Sequence, residues 1–231
     1  MGHGPSSPPI RDYVRLMASA ALPVDLPATI PVFPFGGAVL LPGGALPLNI
    51  FEPRYLAMIA DAVAGDRMIG IVQSRDDSET PALYGVGGLG RITEFAETGD
   101  GRYLIVLSGV IRFRVAREFE VETPYRQVEA DYEPYLADLG DVAAITADIR
   151  AGVEGALKVY LDANGLSADW DAVAQADDDA LVRTLAAVCP FEPVEKQALL
   201  EARDLPARAE MLVALMRFAP GAAEMPSSTL Q

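Results

Sequence analysis

Residues 28–55 read ATIPVFPFGGAVLLPGGALPLNIFEPRY, and this stretch decides the fold of the chain. It carries no charged residue before Glu52 and is long enough to suggest a membrane-spanning helix. Four prolines within the stretch contradict that interpretation, because each proline inside a helix costs about 3 kcal/mol. These prolines are Pro31, Pro34, Pro42 and Pro47. The stretch instead predicts two strands, over residues 30–35 and 45–51, with turns at residues 36–37 and 42–44.

A helix is predicted to begin at Glu52, because Pro53 then lies in the first turn, where its missing N–H costs nothing. After this helix, short apolar runs alternate with turn residues. Asp100-Gly101 is typical of a hairpin, and Ser108-Gly109 predicts a second tight turn. We expect strands over residues 67–73, 84–95, 102–107, 110–119 and 125–132. Such spacing favours a small barrel or sandwich over a parallel α/β sheet.

Beyond Tyr135 the apolar residues recur at helical spacing. We expect four helices: a long one that ends at Asn164-Gly165, and three that begin near Asp177, Pro193 and Pro206. Gly152 and Gly155 lie inside the long helix, and we interpret them as points of close packing. The predicted organisation is a flexible leader over residues 1–27, a β-rich subdomain over 28–135, a helical subdomain over 136–219 and a disordered tail over 220–231.

Composition limits the possible functions. The 231 residues carry a net charge of −15, which disfavours binding to nucleic acids and to anionic membranes. The hydrophobic fraction of 51% predicts a folded protein. Cys189 is the single cysteine, so no intrachain disulfide forms, and this favours a reducing compartment. We therefore expect a cytoplasmic protein.

Four stretches resemble parts of the substrate-binding N-terminal region of Lon proteases. Residues 28–55 follow the order of that family's L-P-L-F-P, F-P-G and P-L-x-I-F-E-x-R-Y motifs. Residues 87–94 (GGLGRITE) and 100–115 (DGRYLIVLSGVIRFRV) are similar to its V-G-x-x-A-x-I, D-G-R-Y and G-x-x-R-F-R motifs. Residues 195–201 (EKQALLE) resemble a helical stretch common in the same region.

The resemblance implies an α+β fold with an N-terminal PUA-like β pseudobarrel that carries one helix, followed by a C-terminal helical bundle. It also implies a non-catalytic module that recognises unfolded or tagged polypeptide, or a protein partner such as a protease. The sequence lacks the P-loop motif of the protease's ATPase domain. Its only lysines, Lys158 and Lys196, have no serine nearby in sequence, so we predict no Ser–Lys dyad and no enzyme.

The motifs that resemble cofactor or metal sites have structural interpretations. Residues 85–90 fit G-x-G-x-x-G, but strand-like residues follow, so we interpret them as a bent strand rather than a dinucleotide site. One histidine, His3, and one cysteine do not make a zinc site. The acidic runs at residues 76–79 and 177–179 are interpreted as a loop and a helix start rather than calcium ligands. We therefore expect no cofactor and no metal.

The candidate site residues come from the motifs that carry the resemblance, with either a peptide-binding or a structural role: Phe33, Phe35, Phe51, Glu52, Arg54, Tyr55, Arg112 and Arg114. We expect Glu52 or Arg54 to pair with Arg112 or Arg114, and the aromatic residues to lie in the core. The expected mechanism is non-covalent binding of an extended apolar peptide in a groove between the two subdomains. The alternatives are a PUA-like module for RNA or a small molecule, and an enzyme whose carboxylates only the fold would reveal.

Overall fold

The computed structural model of the protein describes residues 26–76, 78 and 80–218. The predicted leader, up to Asp25, and the predicted tail lie outside these residues, as do Asp77 and Glu79. The chain divides into two compact units after Gly140. The predicted boundary at Tyr135 lies inside a 3-10 helix, Glu133–Leu139, which belongs to the first unit.

A mixed six-stranded sheet forms the first unit. Its strands are β1 (Thr29–Pro34), β2 (Ala45–Ile50), β3 (Met68–Ser74), β4 (Leu83–Glu97), β5 (Tyr103–Glu118) and β6 (Arg126–Asp131). The hydrogen-bonded order is β2-β5-β4-β3-β1-β6, and β6 also pairs with β5. Five strands therefore form a closed ring of pairings, and β2 extends the sheet beside the first half of β5. Only β1 and β3 are parallel.

Helix α1 (Pro53–Ala64) begins at the predicted position and buries Tyr55, Met58, Ile59 and Ala62. These side chains share a core with the inward residues of β2, β4 and β5, among them Ile50, Ile92, Ile105 and Leu107. A second core fills the ring of strands. It is built around Phe113, which is fully buried with Ile30, Leu89, Ile111 and Val128.

Glycines in β4 and β5 let the loop between β1 and β2 lie against the sheet. A Cβ on Gly88 would stand 1.9 Å from the carbonyl oxygen of Leu40, and one on Gly109 would stand 2.0 Å from that of Leu41. Leu40 and Leu41 are both buried. Residues 85–90 lie within β4, with a register shift at Leu89/Gly90, so the bent-strand interpretation is confirmed.

The tight turn predicted at Ser108-Gly109 is wrong, because β5 continues through both residues. Its first half pairs with β2 and its second half with β6, while β4 pairs with both halves. Partners on both sides stabilise an extended backbone at these residues. Gly109 serves close approach to Leu41, which the sequence pattern does not distinguish from a turn.

The second unit contains five α-helices within the described part of the chain, where four were predicted. They are α2 (Ala147–Ala163), α3 (Trp170–Gln175), α4 (Asp178–Val188), α5 (Pro193–Glu201) and α6 (Leu205–Phe218). The missed α3 is short, and the Asp169 side chain caps its first turn by accepting from the N–H groups of Asp171 and Ala172. From Leu26 to Phe218, the described helices include none with both the length and the apolar character needed to cross a membrane.

Two predictions about this unit have clear outcomes. Asp177 begins α4 as predicted, since its carboxylate accepts from the N–H of Ala180. The close-packing interpretation of Gly155 is wrong, because nothing lies within 4 Å of a Cβ built there. A Cβ on Gly152 would make ordinary contact with Val213 at 3.9 Å.

Candidate functional site

One part of the sheet has a buried face and an exposed apolar face. It consists of β2, the first half of β5 and the last residues of β4. Because successive side chains of a strand point to opposite faces, Ile105 and Leu107 point to the α1 core while Leu104 and Val106 point away from it. A one-sided antiparallel sheet normally carries polar residues at such outward positions.

The register arranges the outward side chains in three rows across these strands. Glu94, Val106 and Pro47 form the first row, and Ala96, Leu104 and Asn49 form the second. Continuing the same register places Phe51 opposite Arg102, whose guanidinium carbon lies 5.9 Å from the centre of the Phe51 ring. We call the apolar members of these rows the outer apolar face: Pro47, Phe51, Ala96, Leu104 and Val106.

The outer apolar face is accessible. Leu104 is 46% exposed and Phe51 is 62% exposed. A shallow depression of about 550 Å³ lies over Pro47, Ala96, Leu104 and Val106, with Phe95 and Asn49 also in its lining. Contiguous exposed apolar patches on a folded protein are typical of interaction sites. The geometry therefore offers a place for apolar side chains of a ligand.

The β2 edge of this sheet is a poor template for another strand. Gly109 donates its N–H to the carbonyl of Gly44 at 2.8 Å, and hydrogen-bonded pairs recur every second residue. The backbone N–H groups that point to β5 are consequently those of Leu46, Leu48 and Ile50. The nitrogen of Pro47 points to the opposite edge, which has no partner strand among the described residues. A proline nitrogen has no hydrogen to donate, so the centre of this edge lacks a donor.

The candidate aromatic residues divide between core and surface. Phe33 and Tyr55 are buried, with ring centres 4.2 Å apart in an edge-to-face contact, as expected of core aromatics. Phe35 stacks on Phe33 at 5.4 Å and is 36% exposed. The core prediction is therefore wrong for Phe35 and for Phe51, which follows the outward alternation of β2.

The predicted ion pairs between α1 and β5 are also wrong. Glu52 and Arg54 pair with each other at 2.9 Å beside the start of α1. Arg112 is buried and makes a bidentate contact with Asp138 of the 3-10 helix, at 2.8 Å from Nε and 2.7 Å from Nη2. Arg114 pairs with Asp131 of β6. The arginines of β5 thus pair with residues later in the chain, and neither of them contacts the Glu52–Arg54 pair.

One sequence signal for the outer apolar face lies outside the predicted site residues. Residues 103–107 read YLIVL, which places apolar side chains on both faces of a strand. Only the side chains on one face are needed for the α1 core, so those on the other face are either exposed or covered by another part of a protein.

Burial, rather than a catalytic partner, is the main cause of the raised pKa of two side chains. Burial and the Asp61 carboxylate, which accepts from the hydroxyl of Tyr125, raise the pKa of Tyr125 to about 12. Burial raises the pKa of Cys189 to about 11. Among the residues whose positions are described, no group of three or more His, Cys, Asp or Glu is arranged to hold a metal ion.

Comparison with known proteins places this geometry in a family. The profile of the ATP-dependent protease La (LON) substrate-binding domain matches residues 29–217. "Lon protease 2" of Myxococcus xanthus is 31% identical over 199 residues, which are 83% of this chain and 24% of that protein. "Lon protease" of Anaeromyxobacter dehalogenans is 30% identical over 199 residues, again 83% of this chain and 23% of that protein. The chain thus spans about a quarter of the length of these relatives.

Solved structures show the same fold. A Lon N-terminal domain protein from Xanthomonas campestris aligns with a TM-score of 0.60 at 23% identity, covering 80% of this chain and 97% of that one. The N-terminal domain of Mycobacterium avium complex Lon protease also gives a TM-score of 0.60, at 20% identity, covering 83% of this chain and all of that one. From the profile match together with the shared fold, the chain belongs to the family of the Lon substrate-binding domain.

Proposed function

We propose that this protein is a non-catalytic polypeptide-recognition module that binds unfolded or tagged protein segments, or a protein partner, through the outer apolar face. The observation that carries the proposal is the exposure of Leu104 and Phe51 on a sheet whose other face is already buried against α1. Membership in a family described as a substrate-binding domain of a protease supports polypeptide as the ligand.

Binding is driven by burial of apolar surface rather than by strand addition. A patch of about 400 Å², a size typical of functional apolar patches, yields about 10 kcal/mol when it is buried at about 25 cal/mol per Å². Association costs at least about 4 kcal/mol in lost rigid-body freedom. At most about 6 kcal/mol remains, which corresponds to a Kd of tens of micromolar or weaker and suits reversible sampling of unfolded chains.

We further propose that the closed ring of strands is a PUA-like pseudobarrel. The double pairing of β5 with β4 and β6 supports this description. Because the chain spans only a quarter of its relatives, their protease activity is not transferred to it. A separate protease is proposed as one class of partner, to which the module would deliver or deny substrate.

Fluorescence anisotropy with a labelled, permanently unfolded polypeptide tests the proposal, with the same polypeptide folded as the control. We expect binding to the unfolded form alone, with a Kd of tens of micromolar or weaker. Leu104→Asp should weaken binding at least about tenfold, because it places an unpaired charge at the centre of the contact. Val121→Asp is the matched control: Val121 is 39% exposed and follows the far end of β5. Equal binding by wild type and Leu104→Asp would contradict the assigned site.

A further inference from the structure

Glu94 is the one acidic residue in the rows that contain the outer apolar face. It lies opposite Val106 in the pairing of β4 with β5 and is exposed. Its diagonal neighbour is Leu104, two residues along β5, at a distance that long side chains bridge. Within the described part of the chain, its carboxylate makes no hydrogen bond or ion pair.

Two of the cations near the face are already paired with carboxylates. Arg102 pairs with Asp100 at 3.0 Å and lies beside the Phe51 ring. Arg54 pairs with Glu52 at 2.9 Å, directly after Phe51 in the chain. A third cation, Arg91 of β4, lies opposite Ser108 and donates to the backbone carbonyl of Asp66 at 3.4 Å rather than to a carboxylate. Glu94 is therefore the carboxylate of this surface that has no ion pair within the described residues. The net charge of −15 for the whole chain has the same sign.

Building on the proposed function, we infer that the outer apolar face selects apolar polypeptide segments that carry Lys or Arg one or two residues from the apolar anchor. An anchor seated on Leu104 places a residue one or two positions away beside Glu94, because an extended chain advances about 3.3 Å per residue. A cation there meets a carboxylate at the border of an apolar contact. A carboxylate at the same point is repelled.

The β2 edge makes this side-chain selection important. Since Pro47 deprives the edge of its central donor, a ligand gains little from backbone pairing there. Discrimination between ligands then rests on side chains. Apolar side chains contact Leu104, Val106 and Phe51, and a basic side chain contacts Glu94.

Peptides that differ only in their flanking residues test the inference. Three labelled peptides share one apolar core and carry Lys, Ser or Glu on both sides. We expect the full-length protein to bind the Lys peptide roughly fivefold more tightly than the Glu peptide at moderate salt, which is the scale of a single exposed ion pair. The ratio should fall as salt screens the attraction.

Two variants separate Glu94 from the charge of the whole molecule. Glu94→Gln should bring the Lys-to-Glu affinity ratio close to that expected from long-range attraction alone, about twofold or less. Glu97→Gln removes the same charge from the same strand, but Glu97 lies opposite Tyr103 on the other face. It should leave the ratio unchanged. An equal effect of both variants would overturn the role of Glu94.

The outcomes distinguish this inference from the proposed function. If the Ser peptide binds and the flanking charge has no effect, the selectivity is wrong and polypeptide recognition stands. If none of the three peptides binds, both are wrong. Sedimentation of wild type and Leu104→Asp tests whether a second copy of the chain occupies the outer apolar face. If the wild type is a dimer and Leu104→Asp is a monomer, the inference is wrong.

Discussion

Gly88 sets how closely the loop between β1 and β2 approaches the sheet. Because a Cβ there would lie 1.9 Å from the Leu40 carbonyl oxygen, backbone has to move in Gly88→Ala. Overpacking of this kind costs about 1–3 kcal/mol, and we expect Gly88→Ala to lower the free energy of unfolding by about 3 kcal/mol, since the obstacle is backbone. Urea denaturation of the purified variant measures this change.

Gly155→Ala supplies the opposite expectation for the same chemical change. Gly155 is exposed in the middle of α2, with nothing near a new Cβ. Replacing an exposed helical glycine by alanine should raise the free energy of unfolding by up to about 1 kcal/mol. If Gly88→Ala were as stable as wild type, the close approach of Leu40 to β4 would be wrong.

Tyr125 predicts a loss of stability at high pH. Its pKa rises from about 10 in the unfolded chain to about 12 in the fold, so the folded state holds the proton more tightly. The resulting stabilisation is fully present below about pH 10 and is lost as the pH rises toward about 12. Tyr125→Phe should therefore show a shallower fall in the free energy of unfolding between about pH 9 and about pH 11. A fall as steep as that of wild type would show that ionisation of the Tyr125 hydroxyl is not linked to unfolding.

At the scale of elements, the 3-10 helix is fixed to β5 by a buried ion pair. The Asp138 carboxylate accepts from the Arg112 guanidinium and from its backbone N–H at 3.1 Å. The side chains of Arg112 and Asp138 are 4% and 10% exposed. Asp138→Ala would leave a guanidinium buried without its carboxylate, so we expect the free energy of unfolding to fall by about 3–5 kcal/mol.

The exposed pair of Arg117 with Glu129 is the control for that variant. It joins β5 to β6 at 3.2 Å with both side chains largely in solvent. Glu129→Ala should cost less than about 1 kcal/mol. Chemical denaturation measures the free energy of unfolding of both variants. Equal losses in the two variants would mean that burial of the Arg112–Asp138 pair does not increase its contribution to stability.

The elements that the sequence predicted well are those with local signals. Pro53 marked the start of α1, Asp177 that of α4, and the run of prolines and glycines separated β1 from β2. The turn at Ser108-Gly109 failed because β2 pairs with Ser108 from one side and β4 pairs with both residues from the other, which keeps β5 extended. Likewise the partners of Arg112 and Arg114 lie in elements whose placement depends on closure of the ring.

At the scale of the whole molecule, the family was readable from motifs, whereas the candidate site was not. Phe51 belongs to the most recognisable motif of the chain, yet its exposure follows from the outward parity of β2. Leu104 and Val106 lie in a run that is apolar at both parities. Register alone assigns one parity to the α1 core and the other to the surface.

The net charge of −15 allows a last test between polypeptide and RNA as ligands. Protein binding to RNA depends on phosphate neutralisation and weakens steeply with salt, and this protein repels phosphate. Contacts with an uncharged apolar peptide depend on burial of apolar surface, which salt does not screen. We expect anisotropy to show no binding of a labelled single-stranded RNA at about 50 mM salt, and peptide affinity to change by less than about twofold up to about 500 mM salt. RNA binding that vanishes at the higher salt, together with loss of peptide binding, would favour the nucleic-acid alternative. The outer apolar face would then require another explanation.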